Sequence, residues 1–313
     1  MTGYILRRVL ATIPVMVVVL VVVFSLMRFA PGDPASIIAG QESSEQDVAR
    51  MREKMGLDRP LPVQLGIWLK DLARGDLGDA IISKQSVVSL IGARILPTLN
   101  LALWTEAFAI VLAVPLGVLA AWKAHSFIDR AVMVFSTLGY SVPVFWLGFM
   151  LIYLFSVKLG WFPVAGYIHP REGFLEYFKH LALPVFATGL IVAALITRMT
   201  RSTVLEVLQE DYVRTARAKG LAENVVLMRH ALKNAAIPIL TVIGLAFAAL
   251  LGGLVITENV FAIPGLGRLL LNAIQARDYP VIQGSVLMVS FAYVFINLLV
   301  DISYTFFDPR VRL

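Results

Sequence analysis

Long apolar runs alternate with short polar stretches along the whole chain. Six of the runs reach the roughly 20 residues that carry a helix across about 30 Å of hydrocarbon. They fall at 9–29, 99–122, 131–157, 181–197, 236–257 and 281–306. This pattern predicts an all-α integral membrane protein with six transmembrane helices, and 1–313 reads as a single transmembrane domain. Two polar interruptions are long. The first, 31–97, opens on Pro31-Gly32-Asp33-Pro34, where each proline removes a backbone donor and restricts its predecessor, ending the first span. Within it Leu65, Trp68, Leu69 and Leu72 keep i, i+3, i+4, i+7 spacing and predict a short amphipathic helix, on the outer membrane surface or against the bundle. A structural lid is the first reading of this loop; contact with an external delivery protein is the second.

The other interruption, 198–235, separates the fourth and fifth spans. Residues 206–219 read as one helix with Val207, Asp211, Arg214 and Ala218 along one side, closed by Gly220. A second helical stretch covers 224–232, and Asn234 and Pro238 lead into the fifth span. Two short helices bent around a glycine make a protruding knuckle. Ala216, Ala218 and Gly220 let another protein approach closely, while Arg214, Arg217 and Lys219 anchor it around the edge. The competing reading is an ordinary loop whose cations satisfy membrane topology.

Composition agrees with the pattern: 58% hydrophobic residues, 15% charged and a mean hydropathy of +0.80 give more apolar surface than a soluble domain covers. The net charge of +6 does not point to nucleic acid, because the basic residues border spans. Arg7 and Arg8, Lys123 and Arg130, the seven Lys and Arg between Arg198 and Lys233, and Arg310 and Arg312 all fall on one side. The positive-inside rule makes that side cytoplasmic and puts both termini there. Loop 31–97 is extracytoplasmic and 198–235 cytoplasmic. The run at 9–29 is longer than a signal-peptide core and lacks a small-residue cleavage site, so it reads as a span. With no cysteine, disulfides and thiol chemistry are excluded. No internal repeat or flexible linker is visible.

Candidate chemistry inside the membrane is sparse. Glu106 is the one carboxylate well within a span, where a charge calls for a partner or water. A hydrogen bond to Thr105 would serve. Gly244, Ala248 and Gly252 form a small-residue stripe on the fifth span, for close packing or for a path. Pro143, beside Ser141, Phe145 and Trp146, predicts a kink in the third span. Asp301 and Arg28 sit near span ends, where snorkelling is cheap, and receive no substrate role. His125, His169, His180 and His230 are scattered through different loops, so no metal site is expected. No G-x-x-x-x-G-K-[ST] occurs, so ATP is not bound by this chain.

The run Asp211-Tyr212-Val213-Arg214-Thr215-Ala216-Arg217-Ala218-Lys219-Gly220, with His230, Asn234 and Pro238, resembles the EAA loop of ABC importer permeases of the dipeptide, oligopeptide, glutathione and nickel group. Tyr4-x-x-Arg7-Arg8, Pro31-Gly32-Asp33-Pro34, Leu57-Asp58-Arg59-Pro60-Leu61 and Gly75-Asp76-Leu77-Gly78 also resemble that group. So do Glu258-Asn259-Val260-Phe261 with Pro264-Gly265-Leu266-Gly267, Arg277-Asp278-Tyr279-Pro280-Val281-Ile282-Gln283, and Asp308-Pro309-Arg310. The namesake Glu-Ala-Ala is absent, with Arg214-Thr215-Ala216 in its neighbourhood, a variation common in the peptide-type branch. The resemblance implies a multi-pass permease of the cell inner membrane without catalysis of its own. It further implies a second homologous permease subunit, two cytoplasmic ATP-binding subunits that hold ATP and Mg, and an extracytoplasmic solute-binding protein. Asp211, Tyr212, Arg214, Thr215, Ala216, Arg217, Ala218, Lys219, Gly220, His230 and Asn234 would then couple to the ATPase. Glu106, Pro143, Phe145, Trp146, Gly244, Ala248 and Gly252 are the candidates for the translocation path. Short peptides are the expected cargo, with nickel chelates, glutathione or opines as alternatives, and Glu106 would then suit the amino group of an entering peptide or a polar group of the companion permease. A secondary transporter or channel is the competing class, against which stand the lone intramembrane carboxylate and the lack of repeats.

Overall fold

The computed structural model describes residues 2–29, 35–36, 44–54 and 56–307. Pro31-Gly32-Asp33-Pro34, Asp308-Pro309-Arg310 and Arg312 lie outside the described residues, as do the side chains of Tyr4 and Arg28. The described residues are helical apart from loops and one isolated bridge between Asp79 and Ser86.

Helix α1, Thr2–Phe29, is followed by two short helices, α2, Glu45–Lys54, and α3, Leu61–Ala73. The second of these is the amphipathic helix that the 65–72 spacing predicts. Its Trp68 ring lies 5.8 Å from Phe24 of α1, so it rests on the end of the first span. The remaining helices are α4, Val87–Trp122; α5, Phe127–Ser141; α6, Val144–Leu151; α7, Phe174–Leu208; α8, Asp211–Ala218; α9, Leu232–Val260; α10, Leu266–Ala276; and α11, Tyr279–Phe307. Most span helices outrun their apolar cores. The second span begins at Val87 rather than near 99, which takes its first three turns out of the predicted outer loop.

The third span departs most from expectation. Instead of one kinked helix over 131–157 there are two limbs, Phe127–Ser141 and Val144–Lys158, bent by 97°. The break falls at Val142 and Pro143, both extended, because proline disfavours helical geometry in its predecessor and supplies no N–H to the ladder. Pro14, Pro97, Pro115, Pro184 and Pro238 sit within unbroken helices. After α6 the chain continues as a wider π-type turn over Ile152–Lys158.

The two limbs together still cross the bundle. Asp129, at the start of α5, pairs with Arg201 near the end of α7: Nη2 donates to Oδ2 at 2.7 Å and Nε donates to Oδ1. Since α7 spans the bundle, the chain between those residues has already reached the other end. Arg8 and Asp301, 3.0 Å apart, likewise bring the start of α1 and the end of α11 to one level, which demands an even number of crossings. Among the described residues, five single helices and the bent pair make six. Asp301 is thus ion-paired rather than left to snorkel.

Small side chains set the packing. The α4–α7 contact is close because Gly117 lies against Thr197 and Thr200, where a Cβ would overlap the Thr200 side chain and the Thr197 carbonyl. One apolar cluster joins Leu101 and Ala102 of α4 with Leu181 and Ala187 of α7 and Ala248, Leu250 and Leu254 of α9. A second joins Ala109 and Ala113 with Ala193, Ile196 and Ala246.

Candidate functional site

The 206–219 stretch is not one helix. Helix α7 runs to Leu208, the chain bends at Gln209 and Glu210, and α8 begins afresh at Asp211. At the other end α8 closes with two backbone bonds, Leu221 N–H to the Ala216 carbonyl at 3.4 Å and Gly220 N–H to the Arg217 carbonyl at 2.9 Å. That pairing needs a left-handed residue, and Gly220 supplies it with φ of +77°. The return stretch is a single turn, Glu223–Val225, and a π-type segment, Val226–Ala231, that passes directly into α9. It is therefore the root of the fifth span, not a separate helix.

Val213 and Ala216 face inward and form a small core with Val226, beside Leu208. Ala216 is thus a packing residue, and the expectation that it offers room to an approaching protein is corrected; Ala218 and Gly220 are exposed. Two polar ties complete the knuckle. Arg217 donates from Nε and Nη2 to the Glu223 carboxylate, at 2.8 and 3.3 Å. Asn234 Nδ2 donates to the Tyr212 hydroxyl at 2.8 Å and to the His230 carbonyl at 3.0 Å. Arg214 lies 3.2 Å from Asp211, and the Thr215 hydroxyl donates to the Asp211 carbonyl at 2.9 Å. Asp211, Tyr212, Arg214, Thr215, Arg217 and Lys219 remain exposed and His230 is half-buried. Hence α8 is a small block with an exposed polar face, fastened to the ends of two spans. Glu223 was absent from the residues that the sequence singled out, although its place three residues after Gly220 marks the start of the returning turn.

The path residues part into several environments. Gly244 is a packing position, since a Cβ there would overlap Val300 of α11. Ala248 and Gly252 border a largely apolar groove of ≈ 560 Å³ between α1, α9 and α11, with Arg8 and Asp301 at one end. Pro143, Phe145 and Trp146 are exposed on the bent third span. Glu106 is buried, with no hydrogen-bond partner among the described residues for either carboxylate oxygen, so Thr105 does not bond it. Among the described residues no three His, Cys, Asp or Glu side chains form a group fit for a metal ion.

At the far end of the bundle two carboxylates act as clasps that sequence reading left without a role. Glu258 is fully buried: Thr98 donates to Oε1 at 2.6 Å and Arg268 N–H to Oε2 at 2.9 Å, while Leu266 N–H donates to the Thr98 hydroxyl at 2.8 Å. These bonds join α4, α9 and the first turn of α10. Gly265 is required beside them because any Cβ would overlap the Glu258 carboxylate. Asp278 accepts from Ile81 N–H and Ile82 N–H at 3.1 and 3.2 Å, which holds the 78–86 loop against the α10–α11 turn.

The family described as "Binding-protein-dependent transport system inner membrane component" matches residues 113–313, and its N-terminal membrane component matches 1–102. The chain belongs to this family. It is a permease subunit of an ABC importer, a multi-pass protein of the inner membrane. The permease is 49% identical over 309 residues to the "Probable peptide ABC transporter permease protein y4tP" of Sinorhizobium fredii, covering 99% of both chains. It is 42% identical to the dipeptide transport system permease protein DppB of Alkalihalophilus pseudofirmus, covering 100% of each. Among solved structures, a chain of the MetNI methionine ABC transporter in inward-facing conformations shares the fold, with a TM-score of 0.58 at 18% identity. That likeness covers 70% of this permease and 96% of that chain.

Proposed function

We propose that this permease carries short peptides or peptide-like solutes inward, in a complex with a second homologous permease, two ATP-binding subunits that hold ATP and Mg, and an extracytoplasmic solute-binding protein. Support for the cargo comes from the peptide and dipeptide permeases that match the chain end to end. Nickel chelates, glutathione and opines are the alternative cargoes for the same role. Both termini and the 198–235 segment face the cytoplasm, and the 31–97 segment faces outward.

The observation that carries the coupling assignment is the build of the knuckle. A helix with exposed Arg214, Arg217, Ala218 and Lys219 is locked to α7 and α9 by a small core and two side-chain ties. A push on α8 therefore passes to the roots of both spans. When the ATPase subunits close on ATP they displace α8, the bundle shifts between inward-open and outward-open states, and hydrolysis resets it. The permease performs no bond chemistry.

The chain has no cysteine, so Ala218→Cys gives it a single thiol on the exposed side of α8. Treated with a short thiol-to-amine cross-linker, the purified complex is expected to yield a product between this chain and an ATP-binding subunit. A complex that assembles and hydrolyses ATP but yields no such product overturns the assignment of α8.

A further inference from the structure

The knuckle shares its end of the bundle with the α4–α5 turn. Arg217 and Glu223, whose ion pair ties α8 to the returning stretch, line a cavity of ≈ 460 Å³. Trp122, Ala124 and His125 of the turn supply another part of its wall, with Gln209 at the end of α7. Arg217 therefore belongs to two surfaces at once: the exposed polar face of α8, and the cavity shared with the turn. A protein that covers Arg217 is thereby brought to the α4–α5 turn.

That turn is held in one shape. His125 has φ of +64°, a left-handed conformation that costs an L-residue about 1–2 kcal/mol. Its N–H donates to Asp129 Oδ2 at 2.9 Å, and the same oxygen accepts from Arg201 Nη2 of α7 at 2.7 Å. The turn is thus clamped to the span that leads into α8, and force applied to it passes to α4, α5 and α7 together. Its exposed charge is basic. The Lys123 ammonium lies 4.7 Å from the centre of the Trp122 ring, and Lys123 forms no ion pair among the described residues. Carboxylates on either side are engaged elsewhere, Asp129 by Arg201 and Glu223 by Arg217. An ammonium beside an indole at the edge of a cavity fits an acidic side chain that packs its stem on the ring. An anionic lipid head group offers the same charge, but the continuity of the cavity with Arg217 favours a protein seated on α8.

We propose that the α4–α5 turn is a second contact for the ATP-binding subunit that holds α8, and that an acidic side chain of that subunit packs on Trp122 and pairs with Lys123. Motion of the ATPase then enters the permease at two points, so that α4 and α5 are driven along with α7 and α9. This inference rests on the assignment of α8 above.

A carbodiimide joins an amine to a carboxylate without a spacer, and so only where the two are in contact. Applied to the purified complex, it is expected to link Lys123 to an Asp or Glu of an ATP-binding subunit, identified by mass spectrometry of the peptides. Lys123→Arg keeps the charge without the amine, so it should abolish that product and leave solute imported per ATP near the native ratio. Lys123→Glu places a carboxylate against the incoming acid and should lower the ratio roughly fivefold. The proposal is overturned if Lys123 links to no ATP-binding subunit, as it would if a lipid head group or the companion permease held it. A native ratio for Lys123→Glu overturns it equally. The Ala218→Cys cross-link separates two kinds of failure. If that product forms and the Lys123 product does not, the second contact falls alone; if neither forms, the assignment of α8 falls and takes this proposal with it.

Discussion

At Gly220 the backbone turns through the left-handed region, and the space that a Cβ would enter is empty, so a substitution there acts through the backbone alone. An L-residue in that conformation costs about 1–2 kcal/mol, and a β-branched one fits it worst. Gly220→Val is therefore expected to distort the closing turn of α8 without disturbing the spans. Uptake should fall while ATP hydrolysis continues, raising the ATP consumed per solute imported in proteoliposomes. Gly220→Asn, which tolerates the left-handed region, should fall between Val and the native residue. An unchanged ratio for Gly220→Val removes Gly220 from the coupling path. Ala216→Glu, by contrast, would place a carboxylate against Val213 and Val226, so its effect reports on folding of the knuckle and not on its outer surface.

The elements differ in how far they can be read from the sequence, and the difference follows how local their contacts are. The turn of the knuckle is legible because Gly220 marks it locally, whereas the tie to Glu223 and the core that takes in Ala216 are not, since they join residues of different helical stretches. Nor is the break at Gln209, since 206–219 has uninterrupted helical spacing. The third span shows the converse. Hydropathy over 131–157 reports that both limbs belong in apolar surroundings, and Pro143 marks lost helical bonding, but neither carries the direction of the second limb. The clasps are further out of reach: Thr98 and Glu258 are separated by 160 positions and Asp129 and Arg201 by 72, so no spacing rule connects them. The last pair gives a test at this scale. Asp129 keeps 5% and Arg201 22% of its side-chain surface, so Asp129→Asn leaves a largely enclosed guanidinium without its carboxylate. A loss of roughly 1–3 kcal/mol is expected, read as a lower thermal midpoint of the purified complex. Arg201→Met should be milder than Asp129→Asn, because it removes the charge instead of stranding it. Equal midpoints for Asp129→Asn and the native chain would mean that the pair does not hold α5 to α7.

For the molecule as a whole, the number of crossings decides which residues share a face of the membrane, and the bent third span decides that number. If Phe127–Ser141 and Val144–Lys158 formed a re-entrant loop, the α4–α5 turn and the end of α7 would lie on opposite faces. The Asp129–Arg201 bond allows only one face for both, and the Arg8–Asp301 pair agrees from the other edge of the bundle. Basic residues add the polarity, because Arg7, Arg8, Lys123, Arg130 and the cations of 198–233 gather at that same end. The absence of native cysteine makes this directly measurable. Lys123→Cys and Ser202→Cys, both exposed, should react with an impermeant maleimide in inverted vesicles and not in right-side-out ones. Ser83→Cys, exposed on the loop held by Asp278, should show the reverse. If Lys123→Cys and Ser202→Cys label from opposite faces, the bent pair does not cross, and α8 no longer shares a compartment with the N-terminal end of α1. Should all three reverse together, the crossings stand, but the knuckle faces away from the cytoplasm and no ATPase there can grip it.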